Sequence, residues 1–268
     1  MSLLDLAHRV REHDHVEALN EASQIALREG TIPRVDDEVV VDDVLVGLAF
    51  ASGDAPVEVL VDPSHRRQGI GTGLLRRALD AGETQFWAHG QLPGAVALAK
   101  AAGLVPARTL LVLRLVFEGA PDPERPIDGV TLRTFRPDDA EAVIEVNRRA
   151  FAQHPEQGAM DRADFDRRAA SSWFDPEGLF VAERDGRVIG FHWTKIEDGI
   201  GEVYVVGVDP DSHGGGLGTA LTARGLRHLH ERGVGIVDLY VEGDNIPALA
   251  VYHRLGFVEH ARDVLYSA

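Results

Sequence analysis

The sequence has no cysteine, and this absence excludes several kinds of chemistry at once. A chain without thiols forms no disulfide bond, no thiolate metal site and no cysteine-linked covalent intermediate. Histidine occurs twelve times, but not at the spacings of metal ligands. His228 and His230, for example, lie too close in sequence to share one face of a helix. We therefore predict that the protein binds no metal.

Positive charge is also scarce, because 27 Lys and Arg residues stand against 43 Asp and Glu residues, for a formal net charge of −16. Nucleic-acid binding needs basic surface, so we predict no nucleic-acid partner. The sequence contains no apolar run of about 18 residues, which a transmembrane helix would need. It also contains no charged segment followed by a shorter apolar run, which is the pattern of a signal peptide. These absences predict a soluble, cytoplasmic protein that does not bind membranes. A local anion site stays possible, since backbone N–H groups can form one.

Aromatic residues make up only 6% of the chain, and the tryptophans at 87, 173 and 193 are expected to pack inside the protein rather than to stack on a ligand. The chain has 268 residues, of which 44% are hydrophobic and 26% charged. This composition is typical of folded globular proteins, and the length is enough for two domains of ordinary size.

The most informative stretch of the sequence is Gly201–Leu221. Its first part is rich in valine and predicts a strand, which Asp209-Pro210 ends. Glycines follow at 214, 215, 216 and 218, and then leucines at helical spacing. A strand, a glycine loop and a helix N-terminus can together bind a pyrophosphate without any lysine. A tight turn that binds nothing would contain the same glycines, so the loop alone leaves both interpretations open.

The same pattern occurs a second time, in Val57–Leu75. Val-Asp-Pro at 61–63 returns at 208–210, and the glycines at 69 and 71 return at 216 and 218, in each case 147 residues later. A repeat over this distance indicates tandem domains. The prolines at 121, 123 and 126 mark a linker between them. We predict a first domain over 1–118, a linker over 119–128 and a second domain over 129–268.

Each half is predicted to be an α+β domain, that is, a mixed α/β sheet with helices on both faces. Residues 1–30 read as helix. Glu38–Val41 and Val44–Phe50 form one predicted hairpin, and Leu179–Glu183 and Val188–Lys195 form another across Asp185-Gly186.

Both glycine loops resemble the pyrophosphate loop of the GCN5-related N-acetyltransferases, whose pattern is Gln/Arg-x-x-Gly-x-Gly/Ala. The first loop, Arg66-Arg67-Gln68-Gly69-Ile70-Gly71, fits this pattern fully, and its two arginines favour tight cofactor binding. The second loop departs from it only at His213. A closer resemblance, over essentially the whole chain, is to the mycothiol synthase family of actinobacteria. It is carried by the strings Phe86-Trp87-Ala88-His89-Gly90, Phe151-Ala152-Gln153-His154-Pro155-Glu156-Gln157-Gly158, Gly190-Phe191-His192-Trp193-Thr194-Lys195, the strand from Gly201 to Pro210, and Leu239-Tyr240-Val241-Glu242-Gly243-Asp244-Asn245.

The resemblance implies the reaction and its small-molecule partners. Such a family transfers the acetyl group of acetyl-CoA to the cysteinyl amine of desacetylmycothiol, a cysteine–glucosamine–inositol conjugate, in the last step of mycothiol biosynthesis. It also implies the acetyl-CoA contacts. In the second half these are Val206, Gly207, Val208, His213, Gly214, Gly215, Gly216, Leu217, Gly218, Thr219, Asn245, Ile246, Pro247, Ala248, Leu249 and Ala250. In the first half they are Val59, Leu60, Val61, Arg67, Gln68, Gly69, Ile70, Gly71 and Thr72.

Two residues are expected to be catalytic, and both lie in the second half. Acetylation of an amine needs a neutral nitrogen, and Glu202 can accept its proton directly or through one water. Tyr252 lies on the helix that passes the thiol end of acetyl-CoA in the superfamily, which implies that it gives a proton to the departing thiolate. Ala55 and Ala99 are their counterparts, so the first half is expected to be non-catalytic. Without this context Glu202 would be an ordinary solvated charge.

The resemblance further implies a set of residues that contact the acceptor substrate, namely Glu21, Glu156, Lys195, Glu202 and Tyr240. Glu21 lies in a poorly matched region of the sequence. Lys195 would ordinarily be a solvated lysine, and Tyr240 could be a core residue with a satisfied hydroxyl.

Two other functions stay open at this point, and we expect a monomer in each case. One is a tandem N-acetyltransferase for another small amine, such as an aminoglycoside, a polyamine or a peptide. The other is a non-catalytic sensor of acetyl-CoA.

Overall fold

The structure is a computed structural model, and it describes residues 3–153 and 155–268, except for the side chains at 155 and 156. The α-helices are α1 Leu3–Asp14, α2 Glu21–Glu29, α3 Ile70–Asp80, α4 Pro93–Ala101, α5 Ala140–Ala150, α6 Pro155–Gly158, α7 Arg162–Ala169, α8 Leu217–Glu231 and α9 Ile246–Arg254. The strands are β1 Val35–Val41, β2 Val44–Ala51, β3 Val57–Val61, β4 Gln85–Ala88, β5 Val105–Val116, β6 Thr131–Thr134, β7 Leu179–Arg184, β8 Arg187–Glu197, β9 Ile200–Val208, β10 Ile236–Glu242 and β11 Val258–Ser267.

The chain folds into two compact units whose limits differ from the predicted domain limits. The first unit contains residues 1–111, Glu242–Asp244 and Ala261–Ala268, and the second contains Val112–Val241 and Asn245–His260. The end of the chain therefore completes the first unit. It does so because β11 pairs antiparallel with β4, from Val264 opposite Ala88 to Ser267 opposite Gln85. Nothing local in the sequence of a strand identifies a partner so far away along the chain.

The first unit is a mixed sheet in the strand order β1-β2-β3-β4-β11, with helices on both faces. Leu74 and Leu75 of α3 pack on one face, and Leu6 of α1 and Ala26 of α2 pack on the other. The structure corrects one prediction here, since residues 1–30 form two helices and not one. Asn20 begins the second helix by accepting a hydrogen bond from the backbone N–H of Ser23 at 2.8 Å.

The second unit is a mixed sheet in the order β10-β9-β8-β7-β6. Leu217 and Leu221 of α8 pack on one face, whereas α5 and α7 cover the other with Val143 and Phe165. The predicted hairpin across Asp185-Gly186 is confirmed: both turn residues have positive φ, as a two-residue hairpin turn requires. The predicted fold class, a mixed sheet with helices on both faces, is confirmed for each unit. In the part of the chain that the structure describes, no helix is long and apolar enough to cross a membrane.

Candidate active site

A wedge opens between two parallel strands of the second unit. The ladder between β9 and β10 pairs Gly201 with Val237 and Glu202 with Asp238, although β9 runs on to Val208. On the other side of β9, Trp193 pairs with Val205 and its neighbour Thr194 pairs with Val203, which leaves Tyr204 as an extra residue. Such a β-bulge bends its strand and sharpens the local twist. The bulge thus lies where β9 leaves β10, just after Glu202.

The backbone of Val206 and Val208 faces this wedge. Asp209 donates its N–H to the carbonyl of Ile189 at 2.9 Å. Alternate residues of an antiparallel strand bond to the same neighbour, so the polar groups of the two valines point the other way. An extended amide chain could pair with this edge as an added strand. One acceptor is already engaged, since Nε2 of His213 donates to the carbonyl of Val208 at 3.1 Å.

The glycine loop leads into α8 with three successive left-handed residues. Gly214, Gly215 and Gly216 have φ values of 95°, 60° and 83°. Gly216 caps α8 without any side-chain hydrogen bond. The Leu217 N–H makes only a long contact of 3.5 Å with the Gly214 carbonyl, so this helix N-terminus can donate N–H groups to an anionic ligand. The loop therefore fits the pyrophosphate of acetyl-CoA through backbone donors. Leu217 is buried in the core and can contribute only backbone.

The third predicted cofactor segment begins α9. The side chain of Asn245 accepts from the N–H of Ala248 at 3.2 Å, so it is the N-cap of this helix. Tyr252 lies two turns further along the same helix, with its ring edge-on to Phe257 at 5.9 Å between centroids. Burial raises the pKa of the Tyr252 hydroxyl to about 12, so the phenol stays protonated at any physiological pH.

Two of the predicted acceptor contacts, Lys195 and Glu202, are directly opposite each other in the β8–β9 ladder. Directly opposite residues project to the same face of a sheet. Lys195 is only 9% exposed, so the simple interpretation of a solvated lysine is wrong. Tyr240 of β10 is 45% exposed, so it is not a core residue either.

The remaining predicted contacts are less well placed. Glu21 begins α2 in the first unit and is exposed. The side chain of Glu156 lies outside the described residues. Its neighbour Gln157, however, is held by Asn147, which is fully buried. Asn147 donates Nδ2 to the Gln157 carbonyl at 2.6 Å and accepts from Gln157 Nε2 at 2.9 Å. We did not predict this asparagine from the sequence. The available signal was that it is a polar residue on the apolar face of α5.

The first unit repeats the loop but not the bulge. The pairing of β2 with β3 shows no register shift, and the β3–β4 ladder runs to Glu58, the counterpart of Val205. Arg66 copies His213, since its Nε donates to the carbonyl of Val61 at 3.1 Å. Its guanidinium also pairs with Asp14 at 2.6 and 2.8 Å. Burial works to raise the pKa of Asp14, but the hydrogen bonds and positive charges of Arg66 and His13 together outweigh burial and lower that pKa. The positive charge of Arg66, the arginine of the loop motif, is thus already balanced by Asp14.

A buried array of charged groups lies on the face of β3 that α1 and α2 cover in the first unit. His89 joins two carboxylates, with Nε2 at 2.6 Å from Glu58 and Nδ1 at 2.9 Å from Asp263. Ser23 and the N–H of Asn20 also donate to Glu58. Burial would lower the pKa of His89, but the two carboxylates raise it to about 10. Glu58 is therefore committed to structure, and the sequence hid the array because Asp263 is 174 residues from His89.

Within the described ranges, no group of three or more histidine, aspartate or glutamate side chains is arranged to hold a metal ion.

Comparison with known proteins gives matches over both halves. The model of the Acetyltransferase (GNAT) family matches residues 5–103 and again 141–257. Mycothiol acetyltransferase of Thermomonospora curvata is 48% identical over 99% of this chain and 92% of its own length. The protein of that name from Clavibacter sepedonicus is 48% identical over 98% of this chain and 90% of its own. That from Streptomyces coelicolor is 50% identical over 83% and 75%.

Solved structures show the same fold at lower identity. A GCN5-related N-acetyltransferase from Sphaerobacter thermophilus superposes with a TM-score of 0.77 at 24% identity, over 98% of this chain and 90% of that one. A tandem GNAT protein from the clavulanic acid biosynthesis pathway gives 0.69 at 22% identity, over 99% and 93%. The predicted tandem architecture is confirmed.

Proposed function

We propose that this chain, which belongs to the mycothiol acetyltransferase family of GCN5-related N-acetyltransferases, transfers the acetyl group of acetyl-CoA to the cysteinyl amine of desacetylmycothiol. The acceptor follows from the name of relatives that are about half identical over most of the chain. The observation that carries the reaction type is the wedge that opens beside β9 directly after Glu202. The proposal includes a cytoplasmic location and a monomeric state, which stay predictions.

The second unit has the parts needed to hold acetyl-CoA, which when bound would supply an acetyl group activated as a thioester. The wedge-facing backbone of Val206 and Val208 would pair with an extended amide chain. The N–H groups at the start of α8 would hold the pyrophosphate. A backbone N–H on this edge would also stabilise negative charge on the carbonyl oxygen during transfer.

Glu202 would act on the acceptor. Amines of this kind are largely protonated at neutral pH, and only the neutral form attacks a carbonyl carbon. A carboxylate at the mouth of the wedge can take up the proton, directly or through one water. Lys195, directly opposite on β8, would donate hydrogen bonds to the hydroxyl groups of the conjugate, with Glu156 and Tyr240 as further contacts.

Tyr252 would donate a hydrogen bond to the sulfur that leaves. Its raised pKa has two consequences. The hydroxyl is always available as a donor, and full proton transfer to a thiolate of ordinary basicity is uphill, because an unperturbed thiol has a pKa near ~8.5. The role of Tyr252 is therefore to stabilise the developing thiolate rather than to act as a strong acid.

The first unit would hold a second acetyl-CoA without reacting. Its loop has the same left-handed glycine before α3 as the second loop has before α8. Glu58, the carboxylate on the corresponding strand, is enclosed by His89 and Ser23 and is not available as a base.

The test is a comparison of two acceptors. Purified protein is incubated with acetyl-CoA and either cysteinyl-glucosaminyl-inositol or glucosaminyl-inositol, and both CoA release and product mass are followed. We expect one acetyl group on the cysteinyl nitrogen of the first compound and no turnover of the second. Equal turnover of both, or turnover only of aminoglycosides or polyamines, would reject the proposed acceptor.

A further inference from the structure

Two aromatic rings, those of Trp173 and Tyr204, flank the ammonium group of Lys195 and are called the cage below. Its Nζ lies 5.2 Å from the ring centroid of Trp173 and 5.7 Å from that of Tyr204. The same nitrogen pairs with Glu197 Oε2 at 3.0 Å. An ammonium within about 6 Å of two ring centroids makes cation–π contacts, and a largely buried position makes such contacts stronger than exposed ones.

Contacts with neighbouring side chains hold the two rings of the cage in place. Trp173 meets Tyr204 edge-on at 4.9 Å between centroids and lies 6.0 Å from the buried ring of Trp193. Arg168 of α7 lies over the Tyr204 ring at 5.7 Å. Tyr204 is also the bulged residue of β9, and a bulge re-aims the side chain that it carries. Contacts with each other, with Trp193 and with Arg168 thus restrict the two rings that contact Lys195.

A fixed lysine differs from an ordinary one in what it can do for a ligand. A free lysine side chain loses conformational entropy when a ligand immobilises it. Here the rings have already restricted the four-carbon stem, so binding need not order it again. The caged ammonium is also directly opposite Glu202 on the same sheet face, which is where an acceptor must approach.

We propose that Trp173 and Tyr204 are positioning residues that hold Lys195 as a preorganised hydrogen-bond donor to the hydroxyl-bearing part of the acceptor. The inference rests on the proposed function, because it concerns the acceptor side of the same site. It makes the two rings determinants of acceptor affinity that act through Lys195, while acetyl-CoA binding is independent of them.

The experiment is a double-mutant cycle on the full chain with cysteinyl-glucosaminyl-inositol and acetyl-CoA as substrates. Trp173→Leu removes one ring face, Trp173→Phe keeps a smaller one, and Lys195→Met removes the cation at similar length. We expect Trp173→Leu to raise KM for the acceptor roughly three- to tenfold, with Trp173→Phe in between. KM for acetyl-CoA should stay within about twofold. The double variant Trp173→Leu/Lys195→Met should have the acceptor KM of Lys195→Met alone, because the ring acts through the lysine.

A matched control is available in the first unit, where Arg108 lies over the ring of Trp87 at 5.6 Å. Trp87→Leu removes a comparable cation–π contact there and should leave the acceptor KM unchanged. Tyr204→Leu and Tyr204→Phe repeat the cycle if Trp173→Leu does not fold, with folding checked by circular dichroism. Multiplicative losses in the double variant, an equal loss in Trp87→Leu, or an unchanged KM in the ring variants would overturn the inference. A wild-type chain that acetylates no cysteinyl acceptor would instead reject the proposed function.

Discussion

Nε2 of His89 lies 2.6 Å from Oε1 of Glu58, on the strand of the first unit that repeats β9 of the second. The two repeats have therefore diverged at the same element. In the first repeat, the carboxylate of Glu58 is part of a buried, ion-paired array. The second carries a bulge at Tyr204 and an open wedge, with Glu202 at its mouth. The same arrangement of strand, loop and helix thus carries a structural carboxylate in one unit and, as we propose, a catalytic base in the other.

The first prediction concerns the stability of that array. His89→Leu keeps a similar volume but leaves the carboxylates of Glu58 and Asp263 buried without their shared cation. Breaking a buried ion pair from one side typically costs about 3–5 kcal/mol. We expect a loss of this size in the free energy of unfolding measured by urea denaturation. His13→Gln is the control, since that side chain is 62% exposed and should change stability little. Equal effects of the two substitutions would contradict the account of the array.

The second prediction concerns acid stability of the second unit. His192 is fully buried and donates Nδ1 to the Leu221 carbonyl at 2.8 Å. Burial, partly offset by this hydrogen bond and reinforced by nearby His228, lowers the pKa of His192 to about 4. Because the folded pKa lies below the unfolded value of 6.5, the contribution of neutral His192 is complete above about pH 6.5. It is lost as the pH falls toward 4, by at most roughly 3 kcal/mol.

His192→Asn tests this origin, because its amide can keep a donor near Leu221 but does not titrate. Unfolding free energies between pH 7 and pH 4 should fall less steeply in this variant than in the wild-type protein. If the unfolding free energies of the variant and the wild-type protein fell in parallel with pH, another group would cause the loss of stability in acid.

The third prediction concerns Tyr252. Tyr252→Phe removes the hydroxyl and keeps the ring that packs on Phe257. We expect kcat to fall by roughly 10²-fold, the usual size of the loss when one hydrogen-bond donor to developing negative charge is removed. The wild-type pH profile should show no ionisation of this residue below about pH 11, since its pKa is about 12. Tyr266→Phe, at a buried tyrosine of the first unit, is the control and should keep wild-type kcat. Wild-type turnover in Tyr252→Phe would reject the role of its hydroxyl.

The fourth prediction concerns Asn147, which joins α5 to the short helix α6 that contains Glu156 and Gln157. Asn147→Leu removes both hydrogen bonds to Gln157 and should raise the acceptor KM several-fold while KM for acetyl-CoA stays constant. If Asn147 acts through Glu156, the variant Asn147→Leu/Glu156→Gln should be no worse than Glu156→Gln alone. Additive losses would mean that the asparagine does not act through that glutamate.

The elements that the sequence could predict are those with local causes. The repeat of Val-Asp-Pro and the glycines, the Asp185-Gly186 turn and the strand before Asp209 depend on backbone chemistry that neighbouring residues set. Asn20 is a residue type that predicts a helix N-cap. Because this signal was not used, one helix was predicted where two exist. The bulge at Tyr204 could not be predicted from the sequence, because it depends on how β8 and β9 align rather than on a glycine or proline. The pairing of β11 with β4, and with it the place of Asp263 beside His89, is a contact between distant parts of the chain.

The most direct test of the central claim is the pH dependence of acetyl transfer by Glu202→Gln with cysteinyl-glucosaminyl-inositol. If Glu202 takes the proton of the acceptor amine, the variant should lose roughly 10²-fold or more in kcat/KM at pH 7. It should regain about sevenfold of that loss near pH 9.5, because an α-amine of pKa about 7.8 is only about one-seventh neutral at pH 7 and almost fully neutral at pH 9.5. An equal loss at both pH values, or no loss at pH 7, would contradict the assignment of Glu202 as the base in this site.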